Sequence, residues 1–254
     1  MEIFAHADTW VALLTLTFLE IILGIDNIIF ISISANKLPK NQVRKATLLG
    51  LALAMITRIL LLFSISYLIA LKEPFLELNY GWLKTALTGQ SIILFLGGLF
   101  LLYKSTKEIR QKVEHTNEDQ VLKSPKLISF SNVIIQIILI DIVFSFDSIL
   151  TAVGMTNGIN GALLIMVIAV IISIIIMMIF SKPISHFVNR NPTIQMLALS
   201  FLILIGFMLI TEGAHLSHTE IFNKTVGVIP KGYLYFAIAF SLGVEMLNLK
   251  VRKK

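Results

Sequence analysis

Apolar runs long enough to cross a lipid bilayer recur along this chain, and no other feature limits its fold so severely. A helix needs about 20 mostly apolar residues to span the hydrocarbon core, and somewhat fewer suffice. By that rule spans are expected near residues 10–34, 47–71, 90–104, 131–153, 161–181, 195–212 and 232–249, the third and sixth being short with room to extend. The expected fold is all-α: a polytopic membrane helix bundle of seven transmembrane helices forming one domain over 1–254. Composition agrees, with 14% charged residues, 56% hydrophobic residues and a mean hydropathy of +0.87. A soluble domain carries about 25% charged residues, so this chain lacks the polar surface to face water all round. The opening MEIFAHADTW has no positive n-region, and no small-residue cleavage site follows it, so the first run is expected to stay as a span and not to leave as a signal peptide.

Loop charges orient these spans. Four Lys/Arg lie in the first connection, six in the third, two in the fifth and four in the tail; two each lie in the second and sixth, and none in the fourth or before the first span. Alternate sides therefore carry 16 and 4. The positive-inside rule places the richer side in the cytoplasm, with the N-terminus outside and the C-terminus inside. This distribution accounts for the net charge of +6, and no basic patch interleaved with aromatics points to nucleic acid. The absence of cysteine excludes disulfides and thiolate metal sites. The third connection, 105–129, is polar and mixed in charge and reads as a solvated cytoplasmic linker between two halves.

Those halves share a motif. LEIILGIDNII (19–29) aligns with IDIVFSFDSIL (140–150), setting Glu20 on Asp141, Asp26 on Asp147 and Asn27 on Ser148 at a constant offset of 121. Each half has three spans, so the second half enters the membrane from the opposite side. This is a 3+3 inverted repeat, about 8–104 and 130–212, with 232–249 as an extra helix. Transporters built this way hold their sites near the midplane where the repeats meet.

An ionised carboxylate at the bilayer centre costs roughly 2.5–3.5 kcal/mol even on the gentler scales. Four acids must therefore meet a cation, a proton, a basic partner or water, and one arginine cannot balance them all. Arg58 has two readings, neutralising an acid or snorkelling to the interface. On a regular helix Glu20 and Asn27 share a face, while Asp26 points roughly 120° away. If both acids serve one ion, Gly24 is the place for the helix to break or loosen; otherwise they face different neighbours. Carboxylates, an amide, a hydroxyl and carbonyls form an all-oxygen set suited to Mn²⁺, Mg²⁺ or Ca²⁺. Proton or Na⁺ use by the same acids stays open. Met177 and Met178 read as packing residues and not as a copper site. Glu212 and Glu245 are accessory acids, and Asn132, Gln136 and Asn248 are candidates to line a polar path or tie helices. His215, His218 and Glu220 share an outside loop, where loop histidines are common. No nucleophile–base set, nucleotide loop or zinc-peptidase motif is present, so an enzyme is not expected.

LEIILGIDNIIFISI and LIDIVFSFDSILTAVGMT resemble the TerC family of integral membrane proteins, as do NPTIQMLALSFLILIGFMLITEG and VIPKGYLYFAIAFSLGVEMLNL. The resemblance covers nearly the whole chain and favours the short form without an added cytoplasmic domain, for which the outer loop 213–229 is long. It implies seven spans and a metal-ion role, since some members are linked to Mn²⁺ efflux and others to tellurium resistance. Gly24-Ile25-Asp26-Asn27 is also similar to the acid–Gly–Asp motifs of related cation exchangers. Carried over, the motif makes Glu20, Asp26, Asn27, Asp141, Asp147 and Ser148 the metal ligands; Arg58, Glu212 and Glu245, outside the motif, stand as accessory candidates on their positions alone. The expectation is a transporter in a bacterial plasma (inner) membrane that exports a divalent cation, Mn²⁺ before others, by alternating access. The metal is substrate, no cofactor is bound permanently, and H⁺ is a candidate counter-ion. The alternative is a membrane scaffold or assembly factor, for metal resistance or protein metallation, that transports nothing itself.

Overall fold

A computed structural model describes residues 6–64, 67, 69, 71–117, 129–156, 158–159 and 161–251. The central part of the expected linker, 118–128, and the tail cations Arg252, Lys253 and Lys254 lie outside the described residues, as does the side chain of Asp26. Seven long helices appear among the described residues: α1 (Ala7–Ala35), α2 (Lys40–Phe63), α3 (Gly89–Asn117), α4 (Phe130–Met155), α5 (Ala162–Arg190), α6 (Pro192–Leu216) and α7 (Lys231–Val251). All but α3 are long and apolar enough throughout a window to cross a membrane.

The departures from the expected spans have local causes. Helix α2 covers Lys40–Phe63 and not 47–71. Pro39 stands at its N-cap, where a missing N–H costs nothing. The polar turn that follows is helical but lies outside the apolar run. Helix α3 continues to Asn117, well into the expected linker. Its second half carries two (i, i+4) pairs, Lys104 Nζ–Glu108 Oε1 at 3.0 Å and Arg110 Nε–Glu114 Oε1 at 2.6 Å, a spacing that supports helix outside lipid.

The all-α expectation also left out a small four-stranded antiparallel sheet, in the order β1 (Pro74–Asn79), β2 (Leu83–Thr88), β3 (Glu220–Ile221) and β4 (Lys224–Thr225). Strands β1 and β2 pair as Leu76↔Leu87, Leu78↔Thr85 and Asn79↔Lys84 around Gly81, whose φ of +76° suits glycine. A two-residue turn joins β3 to β4, with Phe222 and Asn223 at φ +51° and +58°, as a type I′ hairpin requires. Strand β3 pairs with β2 through Leu83↔Ile221 and Lys84↔Glu220. The second and sixth connections are thus hydrogen-bonded to each other and lie on one side of the membrane, as loop alternation requires.

The helices fall into two compact units, Met1–Tyr67 with Pro125–Arg190, and Leu68–Ser124 with Asn191–Lys254. The first holds α1, α2, α4 and α5. Gly24 lies against Met177, Ser32 bonds Ser185 and Asn36 bonds Asn189, so α1 and α5 run parallel. Gly50 lies against Ile137 and Arg58 bonds Asp141, so α2 and α4 run the same way as each other. Only Asn36–Pro39 separates α1 from α2, which turns the chain back; α1 and α4 are therefore antiparallel. A cluster of Ile31, Ala35, Leu38, Ala46, Leu51, Val133, Ile134 and Ile137 forms its apolar core.

The second unit holds α3, α6, α7 and the sheet. Helices α3 and α6 are antiparallel and nearly touch through backbone: a Cβ on Gly98 would lie 2.5 Å from the Gly206 carbonyl oxygen, and one on Gly213 would lie 2.8 Å from that of Ser91. Close approach through small residues is how helices associate where lipid supplies no hydrophobic drive. Helix α7 packs on α6.

Candidate functional site

Two polar stripes meet inside the first unit. On α1, Glu20, Asn27 and Ser34 are each seven residues apart, which keeps them on one face of a helix. On α4, Asp141, Ser145 and Ser148 follow i, i+4, i+7 spacing and also share a face. All six are buried. Arg58 reaches them from α2 and is itself only 2% exposed.

Arg58 resolves its two readings in favour of neutralisation. Its Nη1 donates to Glu20 Oε2. Its Nη2 donates to Asp141 Oδ1 at 2.7 Å, and its Nε lies 3.2 and 3.3 Å from the two Asp141 oxygens. The guanidinium therefore bridges the two acids that the internal repeat aligns, one from each half. Its planar fork of five donors suits such a bridge, and a lysine ammonium would not match it. Around Asp141 the remaining positions are filled as well: Asn27 Nδ2 donates to Oδ1 at 3.4 Å and Ser145 Oγ donates to Oδ2 at 3.2 Å. A buried ion pair is tolerable only with such added hydrogen bonds. Two carboxylates and one guanidinium leave the group at a net charge of −1.

One atom in this network stands out. Asn27 Oδ1 is buried and accepts no hydrogen bond from any of the described residues. Buried polar oxygens are nearly always partnered, so an orphan beside a carboxylate needs a donor or a cation to complete it. Ser34 Oγ, one stripe position further along α1, is likewise buried with no partner among the described residues.

Helix α1 runs unbroken through Gly24, so of the two alternatives for this stretch the break is not the one adopted. Gly24 instead admits a neighbour: an added Cβ would lie 2.0 Å from Met177 Sδ on α5. Met177 is thus a packing residue, as expected. Because α1 and α4 are regular here, Asp147 lies roughly 120° around α4 from Asp141. It is buried, 7% exposed.

Beside Glu20 is a cavity of about 10 Å³, walled by Leu16, Leu62, Ile149, Ala152, Met166, Ala169 and Val170. That is room for about one water molecule. Toward the other end of α1 a polar ladder links it to α5. Ser32 Oγ lies 2.7 Å from Ser185 Oγ and donates to Asn189 Oδ1 at 3.3 Å, and Asn36 Nδ2 donates to the same oxygen. Sequence reasoning missed this ladder. Its signal was available as two (i, i+4) polar pairs, 32/36 and 185/189, at the edges of apolar runs.

Of the expected site residues, the structure brings together Glu20, Asn27 and Asp141 with Arg58, and sets Ser148 on the same α4 face. Among the described residues no group of three or more His, Asp or Glu is placed to hold a metal ion. Glu212 and Glu245 belong to the second unit, on α6 and α7. Both are half-buried, and Glu245 Oε2 accepts from Asn248 Nδ2 at 3.4 Å. Asn132 is exposed and Gln136 half-buried near the start of α4. His215 Nδ1 lies 3.1 Å from the Val226 carbonyl oxygen, which folds the connection between α6 and α7 onto itself.

Comparison with known proteins bears on what this arrangement serves. The model of the integral membrane protein TerC family matches residues 5–253. The chain is 43% identical to a UPF0053 protein of Haemophilus influenzae over 252 residues, covering 99% of this chain and 98% of that one. It is 45% identical to the UPF0053 inner membrane protein YgdQ of Escherichia coli over 247 residues, covering 97% and 95%. The UPF0053 protein YegH of Escherichia coli is 42% identical over 248 residues, but these make up 43% of its length, so this chain spans less than half of that relative. No solved structure matches.

Proposed function

This chain belongs to the integral membrane protein TerC family, and from that premise we propose that it is a transporter exporting a divalent metal cation, Mn²⁺ before others. The observation that carries the reading is the buried cluster of Glu20, Asn27 and Asp141, with the Asn27 carbonyl oxygen meeting no donor among the described residues. A multi-pass membrane protein has little other reason to hold carboxylates and an orphan acceptor away from lipid and water. Hard divalent ions take oxygen ligands of this kind. Ser148 completes the set from α4, and Asp26 and Asp147 add charge from the same two helices. Glu212 and Glu245 are accessory acids on the export route.

The transport cycle is alternating access between two inverted repeats, α1–α3 and α4–α6, with α7 outside them. Three pairings support this. Helix α1 lies with α5 as α4 lies with α2, each exchanging the first helix of one half with the second of the other. Helix α3 lies with α6, and Gly98 of one faces Gly206 of the other. Helices α1 and α4 run in opposite directions. Positive-inside orientation makes the polar ladder at Ser32–Asn36 the cytoplasmic approach and the apolar wall beside Glu20 the outward seal, in a bacterial inner membrane. H⁺ is the candidate counter-ion.

The experiment is cellular manganese content in a strain lacking Mn²⁺ exporters. The wild-type chain lowers it; Asp26→Asn and Asp147→Asn, expressed at equal levels, do not. Full export by both variants overturns the assignment.

The ion pairs of Arg58 favour one other reading, a membrane scaffold in which Glu20–Arg58–Asp141 merely ties three helices together. Purified protein in liposomes separates the two, because a scaffold moves no Mn²⁺ without partners.

A further inference from the structure

We propose that Arg58 is the resident counter-cation of the site: its guanidinium holds the Glu20 and Asp141 carboxylates while no metal is bound, and a metal ion reaches those oxygens only by displacing it. The inference rests on the transporter reading above and adds to it the step that admits the ion.

Occupancy is exclusive for two reasons. The first is coordination. Asp141 Oδ1 already accepts from Nη2 at 2.7 Å, from Nε at 3.2 Å and from Asn27 at 3.4 Å, while Oδ2 accepts from Nε at 3.3 Å and Ser145 at 3.2 Å. A divalent cation needs lone pairs on these same oxygens at about 2.0–2.6 Å. The second is charge. Glu20 and Asp141 together carry −2, which a divalent ion balances. With Arg58 still in place the ion would meet the guanidinium on the same carboxylate oxygens, a close like-charge contact that a low-dielectric interior screens little. The metal and the guanidinium are therefore alternatives.

Displacement has a mechanical consequence. Arg58 belongs to α2, whereas Glu20 is on α1 and Asp141 on α4. The guanidinium is the charged tie among three helices, and the cavity beside Glu20 is walled by apolar side chains with room for about one water. The displaced side chain has no polar space there, so it leaves by a shift of α2 against α1 and α4. Binding the ion and releasing α2 become one event. In the empty protein the same tie hydrogen-bonds both buried carboxylates and offsets one of their two charges.

The test is Mn²⁺ binding to the purified full chain in detergent, followed by loss of the free Mn²⁺ signal in electron paramagnetic resonance, with Mn²⁺ flux into liposomes run in parallel. Removing a competitor that occupies the binding-competent state tightens apparent affinity, so Arg58→Gln is expected to bind Mn²⁺ about tenfold or more tightly than wild type. Arg58→Lys keeps the charge but loses the fork, and is expected to fall between the two. It also serves if Arg58→Gln fails to fold. A purely structural arginine predicts the reverse order, with affinity falling as the fold weakens. If wild type moves Mn²⁺ while neither folded variant binds it more tightly, displacement is wrong and the transporter reading stands. If folded wild type and variants neither bind nor move Mn²⁺, both fall.

Discussion

The two units solve one problem in opposite ways. Helices in lipid gain little from burying apolar side chains against each other, so something else must join them. In the first unit the join is charge: Arg58 of α2 holds Glu20 of α1 and Asp141 of α4. In the second the join is shape, with Gly98, Gly206 and Gly213 letting α3 and α6 approach to backbone contact. The charged join is costly to bury and open to competition by another cation. The glycine join involves no charged side chain. In the proposed transport cycle the first join is the one that yields to the ion and the second the one that does not.

Three substitutions break or sharpen this contrast. The largest effect is expected from Asp141→Asn, which leaves Arg58 with a single acid. The Arg58–Glu20 pair that remains is neutral, so the cost is that of the weakened charge-assisted hydrogen bonds, about 1.5–3 kcal/mol, and the substitution should also end Mn²⁺ export. Denaturant unfolding in detergent together with cellular manganese measures both. A loss of stability with export intact would make the cluster structural only.

Next is Gly98→Ala. Its Cβ would lie 2.5 Å from the Gly206 carbonyl oxygen and 2.7 Å from Ile210 Cγ1. The nearest of these is backbone, which moves only if the helices part, so a loss of about 1–3 kcal/mol is expected. Mn²⁺ affinity should not change, since the charged join is untouched. A shifted affinity would show that the two joins are coupled.

The smallest effect belongs to Gly24→Ala, although its clash is the shortest on paper. The Cβ would lie 2.0 Å from Met177 Sδ, the far end of a flexible side chain that can swing aside. The expected cost is under about 1 kcal/mol, with Met177→Ala relieving it. A larger cost measured by unfolding would mean that α1 and α5 are packed as rigidly as α3 and α6.

Much of the architecture could be read along the chain, and the failures have physical causes. Apolar runs located the helices, but not their ends, because the first turn of α2 and the second half of α3 are helical without being apolar. The sheet went unseen because its strands come from connections more than a hundred residues apart, and β3 has only two residues. Gly24 leaves two alternatives open in the sequence because glycine both loosens helices and admits neighbours; only the presence of Met177 decides between these roles. The polar stripe through Glu20 and Asn27 was legible because seven-residue spacing is a local property of a helix.

By itself the sequence determined the class of the protein, the places of its long apolar helices, and the presence of matched acids where lipid forbids bare charge. These follow from hydropathy, loop charge and helical period, each of which acts over a few turns. Tertiary structure alone decided that Arg58 takes Glu20 and Asp141 as its partners, and that α1, α2, α4 and α5 pack together. Arg58 lies 38 residues from one acid and 83 from the other. No local pattern selects partners at that range. They are chosen by which helices pack together, and by the requirement that a charge buried among them be compensated.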